Sequence, residues 1–319
     1  MNFIESVKDR VKNNPKKTII LTESNDNRVL EAIKYILDKD LANIILLGRL
    51  NNTNYKLNNL KIVIPEESEL LDRFTIELYN LRNNKGLTIE EARKLLCENY
   101  MYFACMLLKF NLADGVVSGA SHTTSDTIRP ALQILDKSSL LASTFMLMEI
   151  DNFDNIFLFS DIALNINPSS EELSNIAIDS CLSYKKILNI EPKAAMLSYS
   201  TYSSAKGDSV DKIKKSIELC KVNRPDLIID GEMQLDSAII PSVNEIKAPN
   251  SIIKGDANIL IFPDLNAGNI GYKLVNRFSN SRSYGPFIQG LNKTVSDLSR
   301  GSNTEEIIGT ILITCLLTV

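Results

Sequence analysis

The stretch TIILTESNDNRVLEAIKYILDKDLANIILLG, Thr18 to Gly48, sets the fold class. Thr18–Thr22 and Asn43–Leu47 are short apolar runs of the kind that form buried strands, the second closed by Gly48. Between them Asp26–Lys39 puts Val29, Leu30, Ile33, Ile36 and Leu37 on one helical face. Strand, helix, strand implies a parallel pair with a right-handed crossover. Outward from this unit the pattern repeats. Lys61–Ile64 reads as a strand stopped by Pro65, and further strands are expected at Gly115–Ser118, Ile156–Ser160, Lys193–Leu197, Leu227–Ile229 and Asn258–Phe262. Helical patterns occupy Ile89–Phe110, Ser170–Leu188, Asp208–Val222 and Gly268–Phe278. The alternation breaks near residues 120–145, which marks a boundary. The expected fold is α/β, with two three-layer domains built on mainly parallel sheets.

The bulk properties narrow the function. With 319 residues, 44% of them hydrophobic, the chain can bury two cores. Thirty-five Lys and Arg against 39 Asp and Glu give a net charge of -4, which offers no electrostatic support for nucleic acid or an anionic membrane. The N-terminus, MNFIESVKDRVKNNPKK, has no apolar core of a secretory signal. The apolar run IIGTILITCLLTV is too short to span a bilayer and reads as a buried C-terminal helix. Cys97, Cys105, Cys181, Cys220 and Cys315 form no CxxC pair, so small buried thiols in a reducing cytoplasm are expected rather than disulfides or zinc. His122 is the only histidine, which excludes a multi-histidine metal site within one chain. No metal is expected.

Ligands of open α/β sheets sit at the carboxyl ends of strands, and three segments there carry chemistry. In ADGVVSGASHTTSDTIRPALQI, Ala113–Ile134, an apolar strand runs into a loop bearing Ser121, Thr123, Thr124 and Ser125 and then Arg129. Short side chains let backbone N–H groups approach an anion, and a guanidinium clamps phosphate through two hydrogen bonds. The same residues also fit a hydroxyl-rich turn with Arg129 in a structural ion pair. In IFPDLNAGNIGYKLVNR, Ile261–Arg277, a strand meets a turn holding Asn266, Gly268, Asn269 and Gly271 before a helix, with Asn266 and Asn269 as candidate substrate contacts. Tight packing at the turn explains this pattern equally well. In Ser281–Gly309, Ser299-Arg300-Gly301 precedes a helix whose expected capping box is Ser302 with Glu305, Asn303 being a competing cap. Ser299, Arg300 and Glu306 would join a hydroxyl, a cation and a carboxylate base, the set acyl transfer needs. Asp230, Glu232 and Asp236 in DGEMQLDSAIIP are expected to be solvated or at an interface.

The blocks KGLTIEEAR, ADGVVSGASHTTSDTIRPALQI, PKAAMLSYST, DGEMQLDSAIIP, ANILIFPDLNAGNIGYKLVNR, YGPFIQGL and VSDLSRG occur in that order. Together they resemble the phosphate acetyltransferase family along nearly the whole chain. The resemblance implies a first domain of residues 1–140 completed by 293–319, a second of 141–292, an active site in the cleft between them, and a homodimer. The implied reaction is acetyl-CoA plus phosphate giving acetyl phosphate plus CoA. Coenzyme A is then a substrate, and no redox cofactor is needed. By position Ser299 and Arg300 match the family's active-site pair, Arg129 an active-site arginine and Arg82 an arginine linked to CoA. The family's proposed base, an aspartate, is Glu306 here. Three other readings compete: a phosphate butyryltransferase or broader acyltransferase, a non-catalytic acetyl-CoA-binding module like those fused to malic enzymes, and a dehydrogenase of the isocitrate type. The last lacks its substrate-binding arginine pattern.

Overall fold

A computed structural model describes residues 3–50 and 58–318. The chain forms two compact units, Met1–Asp136 with Leu291–Val319, and Lys137–Gly290. The first begins with α1 (Phe3–Lys12), β1 (Thr18–Leu21), α2 (Asn27–Asp38), β2 (Asn43–Leu47) and β3 (Leu60–Val63). It continues with α3 (Leu71–Arg82), α4 (Ile89–Glu98), α5 (Tyr100–Lys109), β4 (Gly115–Ser118) and α6 (Thr124–Ile134). The second unit holds β5 (Ser143–Glu149), β6 (Ile156–Ser160), α7 (Ser170–Leu188), β7 (Lys193–Leu197), α8 (Asp208–Asn223), β8 (Ile228–Met233), α9 (Leu235–Ile239), α10 (Pro241–Lys247), β9 (Ile259–Ile261), α11 (Leu265–Phe278) and β10 (Arg282–Gln289). The chain then returns to the first unit with β11 (Thr294–Asp297) and α12 (Thr304–Leu317).

In the first unit the strand order is β3-β2-β1-β4-β11, and the pairs are parallel. Helices α1, α2 and α12 pack together, as do α3 to α6, and both groups touch the sheet. Helix α12 is the expected apolar C-terminal helix, with Ile307, Ile311, Leu312 and Ile313 fully buried; Val319 lies outside the described residues. In the second unit the order is β10-β5-β6-β9-β7-β8. Pairs β6–β9, β9–β7 and β7–β8 are parallel, whereas β5 runs antiparallel to both β6 and β10. The alternation in fact continues through residues 120–145 as β4, α6 and β5, and it breaks only where β5 and β6 follow each other as an antiparallel pair.

Several expectations need correction. The helix expected over Ile89–Phe110 is two helices, because Asn99 leaves helical backbone at φ -123°, ψ 97° and its Oδ1 accepts from Met101 N–H to cap α5. Helix α6 was unexpected, since Pro130 inside it reads as a stop. Proline supplies no N–H for the carbonyl four residues back, Asp126, and Asn99 Nδ2 donates to that oxygen at 3.2 Å instead. The glycine turn expected around Asn266–Gly271 is helical, because Asp264 caps α11 by accepting from Ala267 N–H at 3.0 Å. Gly268 lies within the helix so that its backbone can pass against Asp161; a Cβ there would overlap the Asp161 carbonyl oxygen. Asp230 and Glu232 are buried, not solvated. Asp230 Oδ2 accepts from Tyr202 Oη at 2.6 Å and Ile252 N–H at 3.0 Å, and Glu232 Oε1 accepts from Ser200 Oγ at 2.9 Å and Ser203 N–H at 2.7 Å. Both carboxylates satisfy loop donors rather than a metal. Asp236 is the surface member, paired with Lys247.

Candidate active site

Strands β1, β4 and β11 are parallel neighbours in register, Gly115 standing opposite both Ile19 and Thr294. Their carboxyl ends therefore release three loops side by side, beginning at Thr22, Gly119 and Leu298. This is where an open α/β sheet binds ligands.

Two buried carboxylates flank Gly119. Glu23, 1% exposed, accepts through Oε1 from Gly119 N–H at 2.6 Å and Ser118 Oγ at 3.3 Å, with His122 Nδ1 at 3.2 Å. Its Oε2 has no hydrogen-bond partner among the described residues. The Glu23 hydrogen bond raises the His122 pKa above its ordinary value. On the other side, Asp297 ends β11 fully buried, and neither carboxylate oxygen makes a hydrogen bond among the described residues. Burial pushes this carboxyl up to about 7; the Thr127 and Thr124 hydroxyls pull the other way without reaching hydrogen-bond geometry. Gly119 adopts φ +113°, and a Cβ would collide with Asp297 Oδ1 and the Leu298 backbone. Only glycine fits that backbone conformation and that gap.

Arg28, in the first turn of α2, reaches across these loops. Its Nη2 donates to Ala120 O at 2.9 Å, and its Nη1 donates to Arg300 O at 3.0 Å and Ser302 O at 2.7 Å. Asp26, the α2 cap, pairs with the same guanidinium, Nε to Oδ1 at 3.0 Å and Nη2 to Oδ2 at 2.6 Å. That hydrogen-bonded pairing holds the Asp26 carboxyl below its usual range.

The sequence candidates distribute as follows. Ser299 and Arg300 are exposed in the loop after β11, where Ser299 Oγ accepts from Gly301 N–H at 3.3 Å. The Arg300 guanidinium makes no hydrogen bond or ion pair among the described residues. The capping box at α12 is Asn303 with Glu306, not Ser302 with Glu305: Glu306 N–H donates to Asn303 Oδ1 at 2.9 Å and Asn303 N–H to Glu306 Oε2 at 3.0 Å. The helix starts one residue later than expected, so the structural role moves onto the candidate base itself. Thr123 caps α6 in a box with Asp126, which commits its hydroxyl. Ser121 Oγ stands 3.5 Å from His122 Nδ1, and Thr124 is exposed in the first turn of α6. Arg129 donates to Ser125 Oγ at 2.9 Å and forms no ion pair among the described residues, so the structural ion-pair alternative fails. Arg129 and Arg82 share a cavity of about 580 Å³, with Lys85 and Lys94 adding positive charge, Glu91 and Glu98 offsetting part of it, and Tyr102 and Gln133 giving a polar wall. Asn266 and Asn269 lie in α11 of the other unit, where Asn269 Nδ2 donates to Ile162 O at 2.9 Å.

Glu23, Arg28 and Asp297 were missed in the sequence. Glu23 directly follows the first expected strand, a position that favours ligand-site residues in parallel sheets. Asp297 ends a four-residue strand with three polar side chains, too short and too polar to be seen. Arg28 has no local signal, because all its backbone acceptors are distant in sequence.

Among the described residues no group of three His, Cys, Asp or Glu side chains could hold a metal ion, and no helix is long and apolar enough to cross a membrane. A family model described as phosphate acetyl/butaryl transferase matches residues 2–315. The phosphate acetyltransferase of Clostridium acetobutylicum is 44% identical, covering 98% of this chain and 98% of its own. That of Thermoanaerobacterium thermosaccharolyticum is 42% identical over 99% of each. Among solved structures, a phosphotransacetylase from Streptococcus pyogenes superposes with a TM-score of 0.89 at 38% identity, covering 98% of this chain and 97% of that one. With matches of this extent, the chain belongs to the phosphate acetyl/butaryl transferase family.

Proposed function

We propose that this chain is a phosphate acetyltransferase, catalysing acetyl-CoA plus phosphate to acetyl phosphate plus CoA in either direction. The observation that carries this reading is the near-full-length identity above 40% to phosphate acetyltransferases of two species. In the direction of thioester synthesis, Glu306 takes the proton of the CoA thiol, because the thiolate is the nucleophile. The sulfur attacks the acetyl carbonyl carbon, the bond from that carbon to the phosphate oxygen breaks, and phosphate leaves with the electron pair. Arg300, exposed and with no partner for its guanidinium among the described residues, stabilises the oxyanion and the leaving phosphate, and Ser299 orients the reacting groups. The cavity holding Arg82 and Arg129 carries four cationic side chains against the two carboxylates of Glu91 and Glu98, an excess of positive charge that suits the phosphates of CoA. Thiolate, acyl carbon and leaving phosphate account for every electron pair, so the reading needs no redox cofactor.

Two further elements belong to the same proposal. Ile270, Leu274 and Phe278 recur every four residues on α11 and are 56%, 49% and 86% exposed, an apolar stripe suited to a second copy in a homodimer. The five free cysteines suit a reducing cytoplasm. The deciding experiment is thioester formation by purified protein from CoA and acetyl phosphate, run beside butyryl phosphate. Fast turnover with the acetyl donor and slow turnover with the butyryl donor support the proposal. The reverse preference assigns a butyryltransferase, and CoA binding without turnover assigns a binding module.

A further inference from the structure

We propose that Arg28 is a positioning residue for this reaction, holding the loop that carries Ser299 and Arg300 in register with the loop after β4. The inference rests on the acetyltransferase reading. A guanidinium presents five donors in a fixed plane, and this one spends them on four acceptors from three segments: the Asp26 carboxylate and the carbonyls of Ala120, Arg300 and Ser302. The three carbonyl acceptors are distant in sequence, 92 residues away for Ala120 and 272 and 274 for Arg300 and Ser302. Two of the three carbonyls lie in the Ser299–Ser302 turn, whose other hydrogen bonds among the described residues are internal, Ser302 N–H to Ser299 O at 2.9 Å and Gly301 N–H to Ser299 Oγ at 3.3 Å.

The Arg300 side chain has no protein partner of its own among the described residues, so its backbone is what aims it. Arg28 grips that backbone directly at the Arg300 carbonyl. Asp26 completes the device: it caps α2 through Arg28 N–H at 2.9 Å and fixes the plane of the guanidinium that reaches outward. A lysine carries its donors on one atom and cannot span both loops and the carboxylate. Since a misplacement of about 1 Å in a reacting group can cost roughly a hundredfold in rate, losing this grip should reach the chemistry without any contact to substrate.

The test compares parent, Arg28→Lys and Arg28→Ala in the thioester assay, with melting temperatures as the folding control. The expected result for Arg28→Lys is a kcat lowered by about ten- to a hundredfold, while KM for CoA stays within about threefold. Added guanidinium chloride at a few millimolar should restore part of the activity of Arg28→Ala and none to Arg300→Ala. Hydrogen exchange should quicken together in segments 119–122 and 299–303 of the lysine variant. A folded Arg28→Lys enzyme with kcat within about twofold of the parent would overturn the inference alone. A parent that binds CoA yet forms no thioester would overturn the acetyltransferase reading, and the positioning role with it.

Discussion

Asp297→Asn should remove one contribution to the decline of stability with rising pH. The ordinary pKa of this carboxyl is 3.8, and burial raises it to about 7 in the folded chain. Between those values the folded state keeps a proton that the unfolded state has released. Stability therefore falls as pH rises through this window, by about 1.4 kcal/mol per pH unit, and levels off above the folded pKa. The interval spans about three units, so Asp297 costs the folded chain about 4 kcal/mol at pH 8 relative to pH 4. Asparagine has nearly the same shape and does not titrate. Its amide can donate to Thr127 Oγ1, which has no hydrogen-bond partner among the described residues. The stability difference between variant and parent should thus widen steadily from about pH 4 to about pH 7 and stay constant beyond, a change equivalent to roughly 10 °C in melting temperature for a unit of this size. Melting curves of both proteins across that range measure the slope, which is independent of how well the amide packs. Parallel pH profiles would refute the reasoning, because they would mean that Asp297 is ionised throughout or reached by water.

Four further substitutions test the site and the exposed stripe of α11. Glu306→Gln keeps an acceptor for Asn303 N–H, so the start of α12 should hold within about 1 kcal/mol, while turnover falls roughly 10²- to 10⁴-fold if Glu306 is the base. Glu305→Gln should leave turnover near the parent value, and the opposite pattern would move the base to Glu305. Arg300→Ala should lower kcat by roughly two to three powers of ten, and near-normal turnover would remove it from the chemistry. Leu274→Asp on the exposed stripe of α11 should yield monomers in sedimentation velocity where the parent sediments as a dimer; an unchanged sedimentation coefficient would place the interface elsewhere.

Most parallel strands could be read directly, because Ile, Val and Leu runs such as Ile19–Leu21 and Ile44–Leu47 are buried on both faces and stand out from their surroundings. Strands β5 and β10 could not. STFMLME has methionine and leucine where β-branched residues would signal a strand, and RSYGPFIQ contains Gly285-Pro286 at an irregularity in its pairing. Helix α6 was hidden by Pro130, whose missing hydrogen bond is repaired by Asn99, a residue 31 positions upstream. The site divides along the same line. Ser299, Arg300 and Glu306 form a local motif, and Arg129 follows a hydroxyl-rich loop, so each leaves a trace in sequence. Glu23 and Arg28 meet backbone groups 92 to 274 residues away, and Asp297 lies against Gly119, so no window along the chain contains both ends of those contacts.

The return of Leu291–Val319 to the first unit sets an order on biosynthesis. On the ribosome, β4 emerges long before β11, and everything from Lys137 to Gly290 is synthesised in the interval. Until then the side of β4 that will pair with β11 presents an unpaired row of backbone donors and acceptors, and the bed for α12 is an open apolar surface. The intervening unit, which is continuous in sequence, can fold first. The nascent chain therefore carries an exposed strand edge for most of its translation, a hazard that ends only when the segment bearing Ser299 and Arg300 docks. Completion of the sheet and assembly of the candidate active site are the same late event, so no nascent chain could run the chemistry before its first unit has closed.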